Sequence, residues 1–115
     1  HKVDNIIATI DVNGRQIDGV TDDVMPLGDL RSKFEAFGWE VLEMDGSSFE
    51  SVISTLQEAK ENHLGKGVPV IILMKTEMGE GVDFMMGTHA WHGVAPNDEQ
   101  LEDALTQLEE TIGDY

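Results

Sequence analysis

The chain has no cysteine, only three prolines, and 7 Lys and Arg residues against 23 Asp and Glu among 115. Without thiols it forms no disulfide and no thiolate metal site, and cysteine usage leaves its redox compartment open. The formal net charge of −16 repels phosphate backbones and anionic membrane surfaces, which argues against nucleic acid and lipid as partners. High-salt adaptation is one reading of that acidity. No apolar run reaches the roughly 18 residues of a membrane span, and nothing resembles a secretory signal, so the chain reads as soluble and, by default, cytoplasmic. An initiator Met is also missing, and HKVDNIIATIDV enters a strand almost at once. The expectation is a fragment, a processed chain or a truncated one, with His1 a possible tag remnant.

What is present is regular. A chain of 115 residues has room for one small domain, residues 1–115, with a modest core. Apolar, β-branched-rich runs alternate with stretches of helical period. A first strand is predicted over Ile6 to Val12, followed by the turn-rich NGRQIDG. A helix follows from Leu27 to Phe37, with Leu30, Phe34 and Phe37 on its inner face and Gly38 as its stop. The second strand is Trp39 to Met44. After DGSS, where Ser47 or Ser48 caps, Phe49, Val52, Ile53, Leu56 and Ala59 define a longer amphipathic helix that ends near His63. The third strand, Val68 to Met74, has no polar residue and reads as a central parallel strand buried on both faces. A loop of about twenty residues leads through Pro96 and Asn97 to a last helix. That helix is predicted to bury Leu101, Ala104, Leu105, Leu108 and Ile112 and to stop at Gly113.

The order β-α-β-α-β-α predicts an α/β fold, a parallel sheet with flanking helices joined by right-handed crossovers. Ligands of such sheets bind beyond the carboxyl ends of the strands. The polar residues there are Asp11 and Asn13, then Asp45, then Lys75 and Thr76. The long loop leaves the same edge, and its Gly81, Gly87 and Gly93 suit backbone approach to a ligand and mobility without one.

Within that loop, GTHAWHG sets His89 and His92 three apart. An i, i+3 pair suits one helical face, whereas the glycines argue for a loop. A structural zinc needs four ligands and a catalytic one usually three, and no thiol is available. DVNGRQIDG is most simply a turn; it has some oxygen ligands of a calcium loop but lacks the alternating acids and terminal Glu of an EF-hand. Lys75 reads alone as a surface lysine, His63 as a helix-end residue, and Met74, Met78, Met85 and Met86 as packing groups.

Taken together, DVNGRQIDG, KFEAFGWEVLEMDG, KTEMGEGV and GTHAWHG, in that order over nearly the whole chain, resemble the transketolases. The combination is specific, although each motif alone is weak. The resemblance implies the later, C-terminal portion of a diphosphate-binding domain, a partial doubly wound fold for thiamine diphosphate. It is most similar to the N-terminal chain of two-chain transketolases. Asn13 then matches the asparagine that closes the cofactor motif and supplies a side-chain ligand to the divalent metal, Mg²⁺ or Ca²⁺. Arg15 matches the position whose backbone carbonyl also binds the metal. Ile17 matches the residue beside the thiazolium ring. Lys75 and His92 match residues near the diphosphate, and His92 also reaches donor-substrate hydroxyls, which makes it the candidate catalytic residue. His89 has a matching position with no definite role. GTHAWHG becomes, on this reading, a cofactor- and substrate-facing loop rather than a zinc site.

The family's Gly-Asp-Gly segment, with the metal's aspartate, is expected upstream of His1, and the pyrimidine-binding domain in another segment or chain. These 115 residues alone are therefore expected to be inactive, and the complete enzyme to be a dimer or heterotetramer acting on sugar phosphates by two-carbon ketol transfer. A deoxyxylulose-phosphate synthase or dihydroxyacetone synthase shares the same loops. A non-catalytic receiver-like domain shares the layout, although a receiver clusters acids after its first strand, where this chain has DVNG.

Overall fold

In the computed structural model, which describes residues 1–109, the strands are β1 (Ile7–Val12), β2 (Arg15–Gln16), β3 (Gly19–Val20), β4 (Glu40–Asp45) and β5 (Val70–Lys75). The helices are α1 (Thr21–Val24), α2 (Leu30–Ala36), α3 (Phe49–Glu58) and α4 (Asp98–Gln107). The chain divides into two compact units. One holds residues 1–13 and 25–76, the other residues 14–24 and the chain from 77 onward.

In the first unit β5 lies between β1 and β4, parallel to both. Its apolar sequence explains the position, because Val70, Ile71, Ile72 and Leu73 are all buried and only a central strand covers both faces. The two faces build two core layers. Val70 and Ile72 pack with Met44 and Ala59, against which Val52 of α3 also rests. Ile71 and Leu73 pack with Val41, joined by Leu30 and Phe34 of α2 and by Trp39. The α/β class, the parallel sheet and the flanking helices follow the sequence pattern.

The helix ends are chemically determined. The Asp29 carboxylate accepts from the Ser32 backbone N–H at 3.0 Å, so α2 begins at Leu30 rather than at the expected Leu27. It closes in a Schellman motif: Trp39 N–H donates to Phe34 O at 3.0 Å and Gly38 N–H to Glu35 O at 2.9 Å. Gly38, at φ +81°, takes the left-handed position that a side chain resists. The motif's apolar contact is Phe34 against Trp39, edge to face at 5.7 Å. Phe37, expected inside, is 84% exposed because it is the cap itself and the chain reverses at the next residue. Ser48 caps α3, and a π-turn over Ala59–His63 ends it with Leu64 N–H bonded to Ala59 O.

Two buried faces predicted from periodicity are corrected. Val52 of α3 and Ala59 just after it pack in the sheet's core, whereas Phe49, Ile53 and Leu56 are exposed. Among the described residues the sheet covers only the Val52, Thr55 and Ala59 side of that stripe. On α4 only Ala104 is buried; Leu101, Leu105 and Leu108 are exposed. Ile112 and Gly113 lie outside the described residues. Asn97 and Gln100 form a reciprocal capping box at the start of α4. No helix among the described residues is long and apolar enough to cross a membrane.

Candidate functional site

The parallel register determines what meets at the carboxyl edge of the first unit. Lys75 is paired with Val12 on one side and Asp45 on the other, so the residues that follow three strands begin side by side. Asn13 and Lys75 therefore emerge from neighbouring strands. Asn13 donates its side-chain N–H to Asp11 Oδ2 at 3.1 Å. The Thr76 hydroxyl donates to the other Asp11 oxygen. The Asp45 carboxylate accepts from Ser47 N–H, and Gly46 N–H donates to Lys75 O at 2.7 Å.

Lys75 is well exposed and lies 3.6 Å from Glu43 Oε2. Glu43 Oε1 also accepts from Arg31 Nε at 3.1 Å and Nη2 at 3.0 Å. Arg31 further donates to Glu35 and to the Val41 carbonyl. Its guanidinium holds the Glu43 carboxyl below the ordinary range, and the Glu43 and Glu35 carboxylates raise Arg31 in turn. Arg31, Glu43 and Lys75 line a cavity of about 220 Å³ together with Val12, Leu30 and Leu73. The sequence pattern gave no sign of this arrangement, because Arg31, Glu43 and Lys75 are far apart along the chain.

The second unit holds Arg15, Ile17, His89 and His92. Here the NGRQIDG turn is a short antiparallel hairpin, Arg15 opposite Val20 and Gln16 opposite Gly19, closed by Thr21 N–H to Gly14 O at 2.9 Å. Ile17, at the hairpin tip, is 68% exposed. The Gln16 amide nitrogen is buried with no hydrogen-bond partner among the described residues.

Residues 77–93 form consecutive turns rather than an unstructured loop. Val82 is buried within them. The Trp91 indole N–H donates to Phe84 O at 3.0 Å, and the two rings lie 5.4 Å apart. Gly87 N–H donates to Glu77, and Asp83 exchanges two hydrogen bonds with the Gln107 amide of α4. His89 and His92 are exposed, linked by His92 N–H to His89 O at 3.0 Å. Trp91 thus anchors the turn that displays both imidazoles. Its residue type was the available signal, since a buried indole N–H needs an acceptor. Among the described residues, no three His, Asp or Glu side chains are grouped so as to hold a metal ion.

Residues 1–111 match the family described as transketolase, thiamine diphosphate binding domain. One subunit of the apulose-4-phosphate transketolase of Phocaeicola vulgatus is 39% identical over 112 residues, 97% of this chain and 39% of that protein. A 6-deoxy-6-sulfo-D-fructose transketolase subunit of a Clostridium species is 36% identical over 108 residues, 94% of this chain and 38% of that protein. The chain thus spans about two-fifths of the length of these curated relatives. Among solved structures, transketolase from Campylobacter jejuni superposes with a TM-score of 0.81 at 31% identity, over 93% of this chain and 16% of that one. This leaves the receiver-like reading without support. With nearly its full length matched, the chain belongs to the transketolase family, as a stretch of its thiamine diphosphate binding domain.

Proposed function

We propose that this chain is the diphosphate-holding part of a two-chain transketolase that moves a two-carbon ketol unit from a ketose phosphate to an aldose phosphate. The relatives named as transketolase subunits support a division between two chains, the other carrying the pyrimidine-binding domain. The observation that carries the reading is the strand register, which brings Asp11, Asn13, Lys75 and Thr76 to one carboxyl edge.

The donor set fits a hard divalent cation in part. The Asn13 side chain, which donates to Asp11, carries an amide oxygen of the kind Mg²⁺ or Ca²⁺ takes, and a backbone carbonyl such as that of Arg15 is a hard donor of the same class. Such an ion takes about six oxygens, so the remaining ligands come from the diphosphate, water and residues outside this chain. Lys75 supplies a compact cation where a diphosphate requires neutralisation. Ile17, exposed at the hairpin tip, offers an apolar contact for the thiazolium ring. His92, on the turn held by Trp91, offers an imidazole N–H to a phosphate oxygen or a substrate hydroxyl. Thiamine diphosphate, when bound, supplies the carbanion chemistry.

The test is the enzyme assembled from the full-length chain and its complement. Asn13→Ala is expected to abolish metal-dependent cofactor binding, measured by calorimetry. His92→Ala should lower turnover more than cofactor affinity. Ketol transfer unchanged in both variants overturns the site. Turnover of pyruvate in place of a ketose phosphate favours a deoxyxylulose-phosphate synthase instead.

A further inference from the structure

Helix α4 lies along the turns that carry the two histidines, and it meets them near both of its ends. Toward its start, Glu99, Gln100 and Asp103 share the lining of a cleft of about 390 Å³ with Phe84 and Trp91. At its C-cap, Leu108 lies so close to Gly81 that a Cβ on the glycine would be 2.9 Å from Leu108 Cδ2. The polar joint is Gln107, the last residue of the helix. Its Oε1 accepts from the Asp83 backbone N–H at 2.8 Å, and its Nε2 donates to Asp83 Oδ1 at 3.0 Å. The next residue, Phe84, offers its carbonyl to the Trp91 indole N–H at 3.0 Å, and Trp91 is followed in the chain by His92. Asp98, Glu99, Glu102 and Asp103 make α4 acidic, yet the residue that faces Asp83 is a neutral amide. An amide both accepts and donates, whereas a carboxylate accepts only and would repel Asp83.

We propose that Gln107 is a positioning residue for His92. It fixes Asp83, and with it the Phe84 carbonyl on which Trp91 holds the turn that presents the imidazole. The inference rests on the role proposed above for His92. Two hydrogen bonds from one planar amide set the direction of the Asp83 segment as well as its distance from the helix. Because the pair is exposed, it adds little to the free energy of folding. Its effect is geometric, and a displacement of about 1 Å at a reacting centre is enough to cost about a hundredfold in rate. Asn13 and Lys75, proposed to hold the metal and the diphosphate, follow β1 and β5 and are supported by strand register rather than by this helix. Loss of the Gln107 contacts should therefore separate turnover from cofactor affinity.

The test measures kcat for ketol transfer, Mg²⁺-dependent thiamine diphosphate affinity and melting temperature in the full-length chain assembled with its complement. Gln107→Glu sets a carboxylate against that of Asp83 and should lower kcat by roughly ten- to a hundredfold, with cofactor affinity and melting temperature nearly unchanged. Asp83→Asn alone should do little, because the new amide can turn its oxygen toward the Gln107 N–H. The double variant rebuilds the pair with its polarity reversed, the amide at position 83 donating to the carboxylate at position 107, and should recover most of the lost turnover. Unchanged kcat in Gln107→Glu, a loss that the double variant does not recover, or a loss matched by cofactor affinity or melting temperature overturns the proposal. Should Gln107→Glu fail to fold, Gln107→Leu removes both bonds without adding charge and is held to the same split between kcat and cofactor affinity. His92→Ala separates the two readings. If it leaves turnover unchanged, the role of His92 falls and this proposal with it; if it lowers turnover and Gln107→Glu does not, the positioning role alone falls.

Discussion

Thr76, one residue beyond the central strand, donates its hydroxyl hydrogen bond to the carboxylate of Asp11, near the end of the neighbouring strand. The other oxygen of that carboxylate receives the Asn13 amide. A threonine just after one strand thereby orients, through an aspartate on the next, the side chain proposed to reach the metal.

Replacing Thr76 by Val keeps the shape and removes the donor. In the assembled enzyme the Mg²⁺ concentration needed for half-maximal cofactor binding is expected to rise by roughly ten- to a hundredfold, the usual cost of losing a group that orients a ligand. An unchanged Mg²⁺ requirement, measured by titration of the metal-free enzyme, counts against the orienting role.

Gly46 makes the turn after β4 against the end of β5. A Cβ there would lie 2.5 Å from Thr76 Cγ2, 2.7 Å from Met74 Cγ and 3.1 Å from the Lys75 carbonyl oxygen. The side chains can shift; the carbonyl is part of the strand. Gly46→Ala should therefore destabilise by about 1 to 3 kcal/mol, read as a lower denaturant midpoint with an unaltered slope.

Glu43 has a carboxyl pKa lowered chiefly by its hydrogen bonds with Arg31. A group whose folded pKa is depressed contributes stability above its unfolded value, near 4.5, and loses it as pH falls through the folded value. Glu43→Gln should thus cost stability at pH 7, and the difference from the unaltered chain should begin to shrink as pH falls below about 4.5 and vanish only once pH has passed the lower folded value. Both partners are partly exposed, so the effect is expected below about 1 kcal/mol and smaller in high salt.

Trp91→Phe keeps a ring against Phe84 but deletes the N–H that reaches the Phe84 carbonyl. With the anchor weakened by about 1 kcal/mol, the turn carrying His89 and His92 loosens. Turnover of the assembled enzyme should fall with little change in melting temperature. Retained turnover would show that the indole bond does not hold His92 in place.

The strand Val70–Lys75 was legible in the sequence because an uninterrupted β-branched run has no solvent-facing side, and only a central strand accommodates that. Capping was legible too, since Asn97 and Ser48 satisfy backbone donors a few residues away. Asn13, Lys75 and His92 stood out as positions after strands or in the glycine-rich loop, and the family resemblance assigned them roles. Other features needed three dimensions. Periodicity measures how apolar a helix face is, not how wide the surface beneath it is, so it overcounted the buried residues of α3 and α4. The Arg31–Glu43–Lys75 cluster and the Thr76–Asp11–Asn13 chain join residues from different elements, and their contacts arise from strand register. Local propensity acts over a few residues and is written into the order of the amino acids. Register and shared coverage arise only when separate elements compete for the same core.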